Sequence, residues 1–197
     1  MIKTIPTKAS GTEAVGSLVE AGSLVSNQGG AGGVYTVECR DKDGNLKWSE
    51  AMHNLVVNAG LKDMNDKYFT GSAYTATWYL GLVTGPGAGN TYAAGDTMAS
   101  HVGWTEDTGY SQATRPAASF GAATTADPSV ITNALSVAVF SISATTTIAG
   151  AFLTSDNTKG GTTGVLFSVA NFQAPGDRDV VSGDTLNVSY SFSLDAA

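Results

Sequence analysis

The stretch Leu186-Asn187-Val188-Ser189-Tyr190-Ser191-Phe192-Ser193-Leu194 alternates large apolar residues with small polar ones along its whole length. Successive side chains of a β-strand point to opposite faces, so this period of two predicts a strand with one buried and one solvent-facing side. A helix would mix both kinds of residue on each face. The stretch therefore predicts a sheet protein. It places no acid, base or nucleophile pair on one face, which favours a binding or supporting role.

The composition fits one β-rich domain. The chain has 197 residues, 24 of them glycine, and 14% are charged, against roughly 25% in a typical soluble domain. Such chains form short strands joined by many turns. A chain of this length builds one core and leaves little room for a second. We expect a single antiparallel β-sandwich or jelly-roll domain over residues 34–197.

Charge and cysteine content argue against several functions. The net charge of −7 and ten scattered Lys and Arg residues disfavour nucleic-acid binding, which needs clustered cations, and suit docking on a basic surface. The single cysteine, Cys39, forms no intrachain disulfide and no cysteine-type zinc site, and we expect a buried thiol. No apolar run reaches the roughly 20 residues of a membrane span, and the N-terminus lacks a signal-peptide pattern. We expect no metal, cofactor or membrane partner.

The first residues differ from the rest of the chain. Residues 1–33 are rich in glycine and carry few apolar residues, which predicts an extended arm that becomes ordered against a partner. A short helix over 13–20 and a flexible tail are the alternatives. Next, strands over 34–40 and from 46 to 48 flank an Asp-Gly turn, and this pattern predicts a β-hairpin.

One helix is predicted at about 55–69. Asn54 or Asn58 is expected to cap its start, and Gly71 lies just past its end. The residues at helical spacing, expected to pack on a sheet, are Val57, Leu61, Met64 and Tyr68. Among the later segments, 134–143 is apolar on both faces and predicts a central strand. The other predicted strands are 75–83, 108–120, 147–154, 164–171 and the terminal strand.

Two groups of side chains are candidates for chemistry. Glu50 and Glu106 are possible paired carboxylates of a glycosidase, although acids beside tryptophans are also typical of solvated strand ends. Trp78, Trp104 and Tyr110 are candidates for a sugar-stacking platform, with core packing as the alternative. Since the spacings match no nucleophile or metal motif, we expect no enzymatic activity.

An ordered series of motifs runs through the chain outside the arm. It consists of Trp48–Glu50, His53–Leu61, Thr77–Leu82, Gly95–Glu106, Tyr110–Pro116, Phe152–Ser155 and Gly183–Val188. The series resembles a group of small virion proteins of tailed bacteriophages, over roughly residues 34–194. The resemblance implies a capsid decoration, or cement, protein with a jelly-roll core, located on the capsid surface of the virion after assembly in the host cytoplasm.

The resemblance also implies partners. A cement protein binds the major capsid protein non-covalently, and copies are expected to self-associate as a dimer or trimer. We expect the arm and the hairpin to contact the shell, through Ile2, Ile5, Val15, Leu18, Leu24, Tyr35 and Trp48. The alternative function is a tail-associated, carbohydrate-binding jelly roll that uses Trp78, Trp104 and Tyr110.

Overall fold

The fold is mainly β, with two antiparallel sheets and one helix. The computed structural model describes residues 30–73, 77–86, 89–173 and 176–195. The predicted fold class is confirmed, whereas jelly-roll connectivity stays a prediction. The elements are β1 Ala31–Arg40, β2 Leu46–His53, β3 Leu55–Val56, α1 Asn58–Phe69, β4 Trp78–Thr84, β5 Glu106–Asp107, β6 Ala117–Ala118, β7 Ser129–Thr132, β8 Ala138–Ser141, β9 Thr146–Thr154, β10 Leu166–Asn171, β11 Arg178–Val180 and β12 Thr185–Leu194.

Sheet A is built around the terminal strand. Its order is β2-β1-β12, and β7 and β8 share the other edge of β12. Strands β1 and β12 pair without interruption from Ala31 opposite Leu194 to Arg40 opposite Thr185. The predicted hairpin is confirmed as β1 and β2. Strand β1 begins before the predicted start at residue 34, and the rest of the predicted arm, residues 1–29, lies outside the described residues.

Asn133 joins the two short strands on the far edge of β12. Strand β8 pairs with residues 185–188 and β7 with residues 191–194, which leaves a gap between them. The buried Asn133 side-chain oxygen accepts a hydrogen bond from the Tyr190 N–H at 2.6 Å. The Asn133 N–H donates to the Tyr190 carbonyl at 3.3 Å. The side chain thus takes the place of a strand residue in the ladder.

The prediction of a central strand over 134–143 is therefore wrong. The chain crosses the gap at Asn133 and forms only the four-residue strand β8. Among the described strands it pairs with β12, its other edge is bonded only at Ser141 by the Ser111 N–H and the Gln112 side chain, and Val139 is 41% exposed. An apolar run at a sheet edge resembles a buried strand in sequence, because composition does not report which neighbours a strand has.

Sheet B places its most buried strand at the centre. Its order is β3-β10-β9-β4-β5, with β11 also paired to β9 and β6 also paired to β4. The strand predicted at 147–154 is confirmed as β9, whose residues from Ile148 onward are buried on both faces. The strand predicted over 108–120 is wrong, since only β6 forms there. The chain instead bends so that Arg115 is buried.

The core lies between the two sheets. Tyr35 of β1 and Tyr190 of β12 stack with ring centroids 4.5 Å apart. The Tyr35 hydroxyl lies 2.6 Å from the Ser168 Oγ of β10 and donates to the Ser168 carbonyl at 3.2 Å, which links sheet A to sheet B. The Tyr190 hydroxyl accepts a hydrogen bond from Asn54 at 2.7 Å. The hydroxyl groups are thus paired within an otherwise apolar layer.

A second, smaller core covers the opposite face of sheet B. Phe152 of β9 packs there against Trp104, with ring centroids 5.2 Å apart. Trp104 donates a hydrogen bond from its indole N–H to Asp96 at 3.0 Å, and His101 stacks on it with centroids 4.0 Å apart. This second core explains why β9 is buried on both faces, since the segment between β4 and β5 covers it.

Helix α1 packs through only part of the apolar face that was predicted. Val57 is its N-cap residue and no side chain caps its start, whereas Gly71 adopts φ +68° just past its end, as expected. Gly60 is buried, and a Cβ there would lie 2.5 Å from the Phe167 carbonyl oxygen of β10. Leu61 is 39% and Tyr68 83% exposed. The predicted apolar stripe is therefore confirmed for Val57, which is buried in the second core, and for Met64, which packs against the main core, and it is wrong for Leu61 and Tyr68.

We predict that Gly60→Ala destabilises the protein. In a free helix this change stabilises by about 1 kcal/mol, but here the added methyl group clashes with strand backbone, and overpacking costs about 1–3 kcal/mol. Urea unfolding should show a lower midpoint. The control is Asn65→Ala on the exposed side of α1, which should leave stability unchanged or slightly higher. A Gly60→Ala variant as stable as the wild type would contradict this packing.

Candidate functional site

The predicted capsid contacts fall into three groups. Ile2, Ile5, Val15, Leu18 and Leu24 lie outside the described residues. The prediction for Tyr35 is wrong, because its side chain is fully buried in the core. Trp48 is half-buried at the edge of sheet A and packs edge-on against Phe172, with ring centroids 5.6 Å apart. Of the two hairpin residues, Trp48 alone retains an accessible surface.

The three aromatic residues of the predicted sugar platform do not meet. Trp78 is half-buried on the inner face of sheet B, where it packs against Phe167. Trp104 belongs to the second core on the opposite face of that sheet. Tyr110 is buried against Phe140, with ring centroids 4.9 Å apart. The prediction of a shared platform is wrong, because two of its members are core residues.

The two candidate carboxylates are both held in ion pairs. Glu106 accepts two hydrogen bonds from the Arg115 guanidinium, at 2.9 and 2.7 Å, and a third from the Gly160 N–H at 2.9 Å. Glu50 lies in the other sheet and pairs with Arg178 of β11. Both residues therefore act in the fold as anchors between segments.

Arg115 ties a loop to sheet B from a buried position. Its side chain also donates to the carbonyls of Asp156 and Gly161, at 2.9 and 2.8 Å, and lies over the Phe152 ring. Within the same loop, the Asp156 carboxylate accepts hydrogen bonds from Thr163 and from the Thr158 N–H, at 2.6 and 2.7 Å. These bonds lower the pKa of Asp156 to about 2.

Cys39 is the buried thiol that the sequence predicted. Burial, and next the Asp184 carboxylate, raise the pKa of Cys39 to about 11. Asp184 accepts hydrogen bonds from Lys47 at 2.5 Å and from the Val181 N–H at 2.9 Å. Although burial acts in the opposite direction, these donors hold the pKa of Asp184 below its usual value. The thiol is thus protonated and unreactive at neutral pH.

An apolar cleft opens at one end of the sandwich, and we call it the end cleft. It has a volume of about 510 Å³. Asp63 and Lys67 of α1 also line it and form an ion pair at 3.6 Å. Its apolar lining comes from both sheets and from the segment after β6, and includes Trp78, Phe120, Ile131, Leu153, Phe167 and Phe192. The cleft is suited to apolar side chains rather than to a charged ligand.

Helix α1 presents two large aromatic side chains to solvent. Tyr68 and Phe69 are 83% and 77% exposed, and their rings meet edge to face with centroids 4.9 Å apart. They follow Lys67, which lines the end cleft. Exposed adjacent aromatic residues are typical of protein-binding surfaces. The sequence pattern assigned Tyr68 to the packed face, so it gave no sign of this surface.

The outer face of sheet A is built from small residues. It carries Ser189 and Asn187 of β12 beside Thr36 of β1, with Val137 and Val139 on the neighbouring segment. Its charges at Glu38 and Arg40 neutralise each other at 3.2 Å. A face of low charge and short side chains is suited to contact with another flat protein surface.

Clusters of metal-ligating side chains and membrane-spanning helices are both absent from the described part of the chain. No group of three or more His, Cys, Asp or Glu side chains is placed there to hold a metal ion. Helix α1 lacks the length and the apolar character needed to cross a bilayer. No protein family, curated protein or solved structure matches this chain.

We predict that Glu106→Gln destabilises the protein by about 3–5 kcal/mol, because it leaves the Arg115 charge buried without a counter-ion. Chemical denaturation at neutral pH measures the change. The matched control is Glu38→Gln, which breaks the surface pair with Arg40 and should cost less than about 1 kcal/mol. Equal effects of the two substitutions would contradict an anchoring role for the buried pair.

We predict that Asp156→Asn makes the stability of the fold less dependent on pH between pH 6 and pH 2. The pKa of Asp156 is lower in the folded protein than in the unfolded chain. Its carboxylate therefore stabilises the fold at pH values above the unfolded-state pKa, and this contribution disappears as the pH falls through about 2. We therefore expect the variant to unfold more readily than the wild type at pH 6, with the difference shrinking toward pH 2. Thermal melts of both proteins across this range test it. A constant difference would contradict the assignment.

Proposed function

We propose that this protein is a capsid decoration protein of a tailed bacteriophage, which binds the major capsid protein and stabilises the head shell. The motif series Trp48–Glu50 to Gly183–Val188, which resembles small phage virion proteins, supports the choice of partner. The exposed aromatic pair Tyr68 and Phe69 is the observation in the structure that most favours a binding role. A decoration protein acts through the surface it covers.

The charged groups of the fold are consistent with a supporting role. Glu50 and Asp184 pair with basic side chains that are distant in sequence, and Glu106 pairs with Arg115 and accepts a hydrogen bond from the distant Gly160 N–H. Buried or half-buried pairs of this kind fix one arrangement of the chain at some cost in desolvation. A protein that bridges shell subunits needs such a fixed shape, because a deformable one would yield under the pressure of packaged DNA.

The proposed contacts comprise two surfaces besides the arm residues Ile2 to Leu24. The aromatic pair on α1 is proposed to anchor the protein on the capsid, as buried aromatic residues do at protein interfaces. The outer face of sheet A is proposed to carry self-association into a dimer or trimer, since its charges are internally neutralised. The net charge of −7 favours a basic capsid surface.

The alternative, a tail-associated carbohydrate-binding protein, has less support. Of its three proposed aromatic residues, Trp78 alone is accessible, and it faces an apolar cleft. Sugar sites need polar partners for hydroxyl groups next to the stacking ring, and Asp63 near Trp78 is already paired with Lys67.

Replacing the aromatic pair should separate binding from folding. We predict that the double variant Tyr68→Ala/Phe69→Ala binds purified phage heads lacking the protein at least about tenfold more weakly, the loss expected for interface anchors. Its melting temperature should stay close to that of the wild type, because both side chains are exposed. Co-sedimentation with the heads across a concentration series measures the affinity.

The matched control for this experiment is Leu135→Ala. Leu135 is fully exposed in a loop outside α1, so its removal should change neither binding nor stability. If Leu135→Ala and the aromatic double variant bind heads equally well, the aromatic pair is not the anchor. If the wild type itself fails to bind heads, the proposed function is wrong.

A further inference from the structure

Part of the outer edge of β8 lacks hydrogen-bond partners. The Ser141 carbonyl and N–H point away from β12, since they bond the Ser111 N–H at 2.8 Å and the Gln112 side chain at 3.1 Å. Main-chain groups of every second residue in an antiparallel strand point the same way. The N–H and carbonyl of Val139 therefore also point away from β12, and no group within the described ranges bonds them.

The same alternation extends to the residue before β8. Val137 and Val139 are 39% and 41% exposed, whereas Ala138 and Phe140 are buried. Both valine side chains thus lie on the outer face of sheet A, and the main-chain groups of both residues point outward from the edge of the sheet. We call this stretch, from Val137 to Val139, the open edge.

The other edge strands of sheet A are protected against pairing. Strand β7 is covered by the segment around Thr124, whose N–H bonds the Val130 carbonyl at 2.8 Å. At the opposite edge, β2 carries the charged residues Lys47 and Glu50, both held in ion pairs. Covering segments and charged side chains are devices that keep edge strands from pairing with another chain. The open edge has neither, since residues 128–155 include no charged residue.

We propose that the open edge pairs with the open edge of a second copy, antiparallel and about a two-fold axis, so that the two A sheets become one. Each copy presents the same donors and acceptors, so the edge is complementary to itself. Its lack of charge matters here, because each chain carries a net charge of −7 and two copies otherwise repel each other.

The register of this pairing follows from Ser141. Because the main-chain groups of Ser141 are already bonded, it is not available to a second copy. The register that avoids Ser141 sets Val137 of one copy opposite Val139 of the other. Each such pair exchanges both of its main-chain hydrogen bonds and places valine side chains of the two copies side by side.

This interface deepens the self-association proposed above and rests on that part of the proposed function. It specifies a dimer, because a two-fold contact of one edge closes after two copies, whereas a trimer needs a different contact. The open edge is short, so the interface is smaller than the roughly 1,200 Å² of stable complexes and the dimer is reversible in solution. Copies held side by side on a shell would pair more readily, since their effective concentration is higher.

Sedimentation equilibrium of the purified full chain, at concentrations up to about 1 mM, tests the pairing. We expect the wild type to pass from monomer to dimer as its concentration rises. Val139→Lys should weaken the dimer at least about tenfold, because it brings like charges together at the edges of the two copies. Its melting temperature should stay close to that of the wild type, since the Val139 side chain is exposed.

The matched control is Ala51→Lys, which adds the same charge at an exposed position on β2, at the other edge of sheet A. It should dimerise like the wild type. A Val139→Lys variant that dimerises as well as Ala51→Lys would overturn the proposal. So would a wild type that stays monomeric over the whole range, as expected if another segment of its own chain covers the edge, or one that forms trimers.

A cysteine experiment tests the register. Val137→Cys and Val139→Cys are purified as separate full-length variants, mixed and mildly oxidised. Directly opposite residues on paired strands have Cβ atoms about 4.5–5.5 Å apart and diagonal ones about 7–8 Å, so only opposite positions are placed for a disulfide. We therefore expect several-fold more disulfide-linked dimer from the mixture than from either variant alone. Cys39 does not interfere, because it is buried and its pKa is raised to about 11.

Equal cross-linking of the mixture and of Val139→Cys alone would overturn the proposed pairing. A mixture of Val137→Cys with Ala51→Cys is the control and should give little cross-linked dimer, because Ala51 lies on the opposite edge strand. Neither experiment contains phage heads, so a failure here is distinct from a failure of the proposed capsid role.

Discussion

Strand β12 is hydrogen-bonded along both edges, and the rest of the fold depends on this position. Strand β1 occupies one edge over its full length, while β8, Asn133 and β7 occupy the other in succession. Its inward residues Leu186, Val188, Tyr190 and Phe192 are all buried. Full burial of such side chains contributes about 1.5–3 kcal/mol each. The last strand of the chain thereby connects distant segments into one sheet and forms one wall of the core.

Elements that a short sequence pattern specifies on its own were predicted correctly. The alternation of β12 and the Asp-Gly turn between β1 and β2 each specify structure over a few residues, and both predictions are confirmed. The helix was predicted correctly in place, but only Val57 and Met64 of its four predicted packing residues pack against the sheets. Periodicity ranks side chains by apolarity, whereas Gly60 packs because it has no side chain and lets the backbones approach.

The candidate sites were harder to predict, because they depend on which faces and segments meet. Trp78 and Trp104 look alike in sequence, yet one lies on the inner face of sheet B and the other belongs to a second core. The sequence did not indicate that Arg115 is buried. Its partners are Glu106, Asp156 and Gly161, and only the folded chain brings these residues together. The end cleft likewise combines residues from both sheets and α1.

The proposed role requires that the protein acts through the surfaces it covers on a phage head. Quantitative mass spectrometry of purified virions tests this requirement most directly, by comparing the abundance of this chain with that of the major capsid protein. The account predicts hundreds of copies per particle, in fixed proportion to the capsid subunits. Absence from the heads, or a copy number of a dozen or fewer as expected for a tail protein, would contradict it.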